Sequence, residues 1–94
     1  AIDRPYRDHA AYHVSKGAIP TLTRVLAIEL AARNPNVRVN CIAPGPVMVP
    51  DTIPDAEKRA IASATLVQRL GSPDHVARAV FALTENDFVT GTVI

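Results

Sequence analysis

Tyr12 and Lys16 stand four residues apart in the run Tyr12-His13-Val14-Ser15-Lys16. On a helix that spacing places the two side chains one turn apart on the same face. A tyrosine phenol titrates near ~10 and is a poor acid or base at neutral pH, but an ammonium one turn away stabilises the phenolate and draws its ionisation toward working pH. The pair could then deliver or collect a proton at a carbonyl or alcohol oxygen. The same spacing equally suits a solvated helix face, so the pair needs its context. Ser15 has no His or acid placed to activate it and reads as a helix-packing residue. His13 lies about 100° round the helix from Tyr12 and reads as a surface or interface residue. His75 reads as solvent-exposed. The three histidines and the lone Cys41 show no metal-ligand spacing, and Cys41 reads as a small core hydrophobe.

The element carrying the pair must be a helix over residues 11–34. Ile19, Leu22, Leu26 and Leu30 recur at spacings of three and four, and Ala18, Val25, Ile28 and Ala32 form a second stripe. Two buried faces are expected from this pattern. Pro20 opposes it locally, since an internal proline removes a hydrogen bond and crowds the preceding turn. Local rules alone would start the helix there, with Pro20 at its first position. Asn34, in a left-handed cap, and Pro35 end the helix. Residues 37–43 are a short β-branched run and read as a buried strand. Pro44-Gly45-Pro46 turns the chain abruptly, and Pro50 and Pro54 keep the following loop extended. Residues 55–66 are mildly helical, with Ile61 and Leu66 apolar. Ser72-Pro73-Asp74 is a helix start, followed by a core stripe of Val76, Ala79, Val80 and Leu83. Residues 88–94 read as a second buried strand, and residues 1–10 as a loop. A helix, strand, helix, helix, strand order without hairpin signals argues for an α/β layered fold with a parallel sheet.

Composition narrows the function classes. The 94 residues are 48% apolar and 20% charged, with 10 Lys+Arg against 9 Asp+Glu, and the mean hydropathy is +0.11. That is a globular composition. A net charge of +1 and four aromatic residues offer neither a phosphate-binding footprint nor a base-stacking platform, so no nucleic acid partner is expected. No 18-residue apolar run is present, so no membrane span is expected either. A single cysteine fits a reducing, cytoplasmic setting. The start without Met and the apolar end at Val93-Ile94 suggest a segment cut from a longer chain, marginal or aggregation-prone by itself.

The ordered landmarks Tyr12-His13-Val14-Ser15-Lys16, Ile28-Glu29-Leu30, residues 37–45, Leu70-Gly71-Ser72-Pro73-Asp74-His75-Val76-Ala77 and Val89-Thr90-Gly91 resemble the C-terminal half of the short-chain dehydrogenase/reductase family. The resemblance runs over nearly the whole chain and implies that the Tyr/Lys helix begins before Pro20. It implies the C-terminal half of a Rossmann-type doubly wound parallel sheet, with residues 1–94 the C-terminal part of one NAD(P)-binding domain and the dinucleotide-binding half lying upstream. It assigns Tyr12 as the acid/base at the substrate oxygen and Lys16 as the group that tunes Tyr12 and holds the nicotinamide ribose. Pro44 and Gly45 would line the nicotinamide pocket, and the backbone of Val47 would meet the carboxamide. The family's serine would fall two positions ahead of Ala1. Val49 stands where the family often has Thr, which removes a hydroxyl near the cofactor.

His9, in the loop before Tyr12, and Met48, after the Pro-Gly turn, are candidates for substrate contact. Arg4-Pro5-Tyr6 and Pro44-Gly45-Pro46-Val47-Met48-Val49-Pro50 look similar to pteridine-reductase-like members, with 3-oxoacyl-carrier-protein-reductase-like members as the alternative. The implied cofactor is NADP or NAD, with NADP and reduction favoured. A small-molecule substrate and a homodimer or homotetramer are expected, and no metal. A non-catalytic binding or regulatory module of the same fold, or an autonomous interaction domain, would be the competing readings. A Ser two positions ahead of Ala1 would favour the enzyme.

Overall fold

The computed structural model describes residues 9–94, and nearly all of the expected loop over residues 1–10 lies outside them. Three helices are present: α1 (Ala10–Arg33), α2 (Asp55–Ser63) and α3 (Pro73–Glu85). α1 passes through Pro20 without interruption, as the resemblance implies and the local rule does not. Pro20 has no amide hydrogen, so the Lys16 carbonyl lacks its usual donor one turn on. The N-terminal end of α1 has no side-chain cap and no acid in its first turn. At the other end Asn34 is extended (φ −152°, ψ 107°) rather than left-handed. Its side chain accepts the Asn36 amide at 3.0 Å, a local turn that competes with a left-handed cap.

The expectation of two buried faces on α1 does not hold. Among the described residues only Thr23 and Ala27 are buried, with Leu26 and Leu30 half-buried beside them. Leu22, Val25 and Ile28 are exposed, Ile28 to 74%. The reason is a shortage of neighbours: among the described residues no two helices pack against each other. α1 instead approaches the chain near Gly91, where an added Cβ would stand 3.5 Å from the Ala27 Cβ. Gly91 itself has φ +70°, a left-handed conformation that favours glycine.

The expected parallel sheet is likewise not formed among the described residues. Residues 37–43 and 88–94 meet in one isolated parallel bridge, Cys41 with Val93. Around it the Cys41 amide donates to Thr92 O at 2.8 Å and the Ile94 amide to Cys41 O at 3.0 Å. The Ala43 amide also donates to Ile94 O and the Gly91 amide to Val39 O at 2.7 Å, and side chains supply two further rungs. The Val39 amide goes to Thr90 Oγ1 and the Thr92 amide to Asn40 Oδ1, both at 3.1 Å. With Gly91 left-handed, the pairing between the two runs is irregular and only one bridge forms among the described residues. The direction of pairing, parallel, is the expected one.

Arg38 ties this pair to α3. Its guanidinium donates to the carbonyls of Leu83 at 2.8 Å, Asn86 at 3.0 Å and Val89 and Thr84 at 3.1 Å. Two of those acceptors belong to the last turn of α3, whose carbonyls have no intrahelical donor. α3 begins as the sequence predicts, at Ser72 with Pro73 in its first turn. His75 closes that start, accepting the Ser72 amide on Nδ1 at 2.9 Å with Ser72 Oγ at 3.1 Å. Of the expected core stripe, Val76, Ala79 and Leu83 are half-buried and Val80 is exposed. α2 stops at Ser63 rather than 66. Thr65 Oγ1 donates to Ala62 O at 2.8 Å and accepts the Arg69 amide at 3.2 Å, and these bonds compete with the helix, leaving Leu66 wholly exposed.

Candidate functional site

Tyr12 and Lys16 share one face of α1, and the Lys16 ammonium lies 5.8 Å from the centroid of the Tyr12 ring. A cation over an aromatic face is attracted by the ring quadrupole, by about 0.5–1 kcal/mol where water has access. The His13 ring meets Tyr12 edge-on, with centroids 5.4 Å apart, so it buttresses the phenol despite projecting from a different side of the helix. Ser15 turns back to donate to Tyr12 O at 2.9 Å, the helix-packing role its context suggested. Tyr12 is 47% exposed.

Tyr12, Lys16 and Ile19 form one side of a cavity of about 260 Å³, and Cys41, Ile42, Ala43 and Pro44 form the other. The helix thus presents a hydroxyl and an ammonium, and residues 41–44 present an apolar wall. A second cavity of about 330 Å³ is lined by residues 42–44 together with Gly45, Val47, His75, Val76, Ala79 and Ile94. The two cavities share Ile42, Ala43 and Pro44. A Cβ added at Gly45 would meet nothing within 4 Å. The turn is open where a flat ligand could approach the backbone.

The structure therefore brings Tyr12, Lys16 and Pro44 to one cavity and places Gly45 and Val47 in the adjoining one. His9 and Met48 are not joined to them. His9 is the N-cap residue of α1, is exposed, and is not among the residues lining the Tyr12 cavity. Met48 is 79% exposed, in an open hollow made by residues 47–51 alone. Sequence reasoning missed Cys41, assigned to the core but half-buried on the cavity wall. It also missed His75, whose ring caps α3 and lines the second cavity. Residue type gave no signal for either. Among the described residues no cluster of three metal-binding side chains occurs, and no helix is long and apolar enough to cross a membrane.

A family model described as enoyl-(acyl carrier protein) reductase matches residues 2–94. The chain is 42% identical over 87 residues to Protein FixR of Bradyrhizobium diazoefficiens, covering 90% of this chain and 30% of FixR. It is 40% identical over 96 residues to human dehydrogenase/reductase SDR family member 4, covering 96% of this chain and 34% of that protein. A solved small-chain dehydrogenase in complex with NADPH superposes with a TM-score of 0.76 at 30% identity, over 93% of this chain and 41% of that one. The chain spans about a third of the length of the curated relatives it matches.

Proposed function

The chain belongs to the short-chain dehydrogenase/reductase family, and on that premise we propose that it supplies the acid/base pair and the nicotinamide-facing turn of an NAD(P)-dependent oxidoreductase acting on a small carbonyl or alcohol. In this reading residues 1–94 are the C-terminal part of a Rossmann-type domain in a longer, cytoplasmic, dimeric or tetrameric protein. The observation that carries the reading is the cavity shared by Tyr12, Lys16 and residues 41–44.

That cavity suits a nicotinamide riboside. Its apolar wall matches the flat ring, Gly45 leaves the adjoining backbone open, and Lys16 offers ammonium hydrogens to ribose hydroxyls. When bound, the cofactor supplies or takes the hydride. Tyr12 holds the proton at its phenol oxygen and gives it to the substrate oxygen in reduction, or accepts it in oxidation. Pro44 and Gly45 border the ring, and the Val47 backbone meets the carboxamide. His9, at the start of α1, and Met48, in the loop after the turn, are the candidates for substrate contact. NADPH is the favoured cofactor, supported by the NADPH complex among the similar structures, and the substrate is a 3-oxoacyl thioester or, with a ring nitrogen taking the proton in place of oxygen, a pteridine.

Titration of NADPH and NADH into the complete protein, followed by nicotinamide fluorescence, tests this. Lys16→Ala removes charged hydrogen bonds worth about 1.5–3 kcal/mol, so nucleotide affinity should fall at least about tenfold. Unchanged affinity refutes the ribose role.

A further inference from the structure

Gly71 lies outside both the Tyr12 cavity and the regular elements, yet it is the most tightly packed glycine of the described chain. A Cβ at Gly71 would stand 2.7 Å from Val47 Cγ1 and 3.6 Å from both His75 Nδ1 and the Pro46 carbonyl oxygen. Its amide donates to Pro46 O at 2.9 Å. Gly17 and Gly45, in contrast, would each accept a Cβ with nothing within 4 Å.

Val47 cannot give way freely, because a β-branched side chain is stiff at χ1. Behind Gly71 the backbone is fixed as well: it leads directly into Ser72, whose amide is held by His75 at 2.9 Å. The start of α3 is thus pressed, without an intervening side chain, onto the turn at residues 44–47.

We propose that Gly71 is a positioning residue for the cofactor-facing turn, the bare seat that sets where Val47 and the Pro44-Gly45 backbone stand relative to the Tyr12–Lys16 cavity. The proposal rests on the functional reading above. Gly71 touches neither the cavity nor any bound group. It acts through Val47, and the hydrogen bond to Pro46 fixes the distance.

A double-mutant cycle of Gly71→Ala and Val47→Ala in the complete protein tests it. Gly71→Ala should raise the KM and Kd for nicotinamide nucleotide on the order of tenfold, since small displacements near a reacting centre are expensive, with a smaller change in kcat. Adding Val47→Ala removes both Cγ atoms, so the double variant should bind nucleotide as Val47→Ala alone does. An additive loss, or wild-type KM in Gly71→Ala, overturns the proposal. If Gly71→Ala does not accumulate as soluble protein, recovery by Val47→Ala supports the seat and failure to recover overturns it. Thermal midpoints of the same four proteins without nucleotide read the packing independently. A wild-type protein that binds no nicotinamide nucleotide defeats the functional reading, and non-additive midpoints would still show Gly71 seating Val47.

Discussion

Arg38 and Lys16 are long cations on neighbouring elements, and the fold uses them in opposite ways. Arg38 delivers its guanidinium to four carbonyls at 2.8–3.1 Å, closing α3 and holding the segment through Val89. Lys16 ends 5.8 Å above a half-exposed tyrosine ring, on a stretch of α1 that, among the described residues, has no side-chain cap and no helix packed on it. Both terminal nitrogens of Arg38 donate to internal acceptors. An ammonium has three donors, and a cation–π contact uses none of them as a conventional hydrogen bond. What separates the two regions is therefore more than solvent exposure. One region satisfies itself, and the other keeps polar groups available to something that enters the cavity.

That contrast can be broken by substitution. Tyr12→Phe should reduce turnover of the complete protein by about 10²–10⁴-fold, the range for losing a positioned acid or base, with the unfolding free energy within about 0.5 kcal/mol of wild type. Wild-type turnover would remove Tyr12 from the chemistry. Arg38→Met should do the reverse. Removing one charged donor from several carbonyls should cost about 2–4 kcal/mol in urea unfolding, while nucleotide affinity of the folded protein stays within about twofold. A large affinity loss would show that the two regions are not separable. The smallest effect belongs to Ser72→Ala, which should cost about 1 kcal/mol of stability. Combined with His75→Ala, the two costs should fall short of additive, because both side chains close the same helix start.

The Tyr12–Lys16 pair and the start of α3 were the most legible features of the sequence. Spacing of four was enough to place Tyr12 and Lys16 on one face, and Ser72-Pro73-Asp74 announced α3. Both signals are local. α1's passage through Pro20 followed from resemblance and not from any rule about the helix itself. Arg38 was invisible as a cap, because nothing near position 38 marks an arginine whose acceptors lie more than forty residues on. His75 escaped because a capping box is sought as Glu or Gln at the third helical position, and imidazole does the work here. Gly71 escaped because its meaning is a distance to Val47. The strands over residues 37–43 and 88–94 were expected from β-branched composition. Pairing geometry decides, however, and Asn40, Thr90 and Gly91 divert the ladder after one bridge.

Arg38 also sets an order of events as the chain folds. Its acceptors lie 45 to 51 residues downstream, so closing that loop costs about 3.4 kcal/mol from (3/2)RT ln n, before any constant term. α1, α2 and the first turns of α3 are local and can form on their own timescale. The last turn of α3 cannot be sealed until Arg38 arrives. During synthesis Arg38 emerges well before the carbonyls it will hold, and from their own emergence until that loop closes the segment from Leu83 to Val89 stays open to exchange, to proteases and to mispairing with another copy.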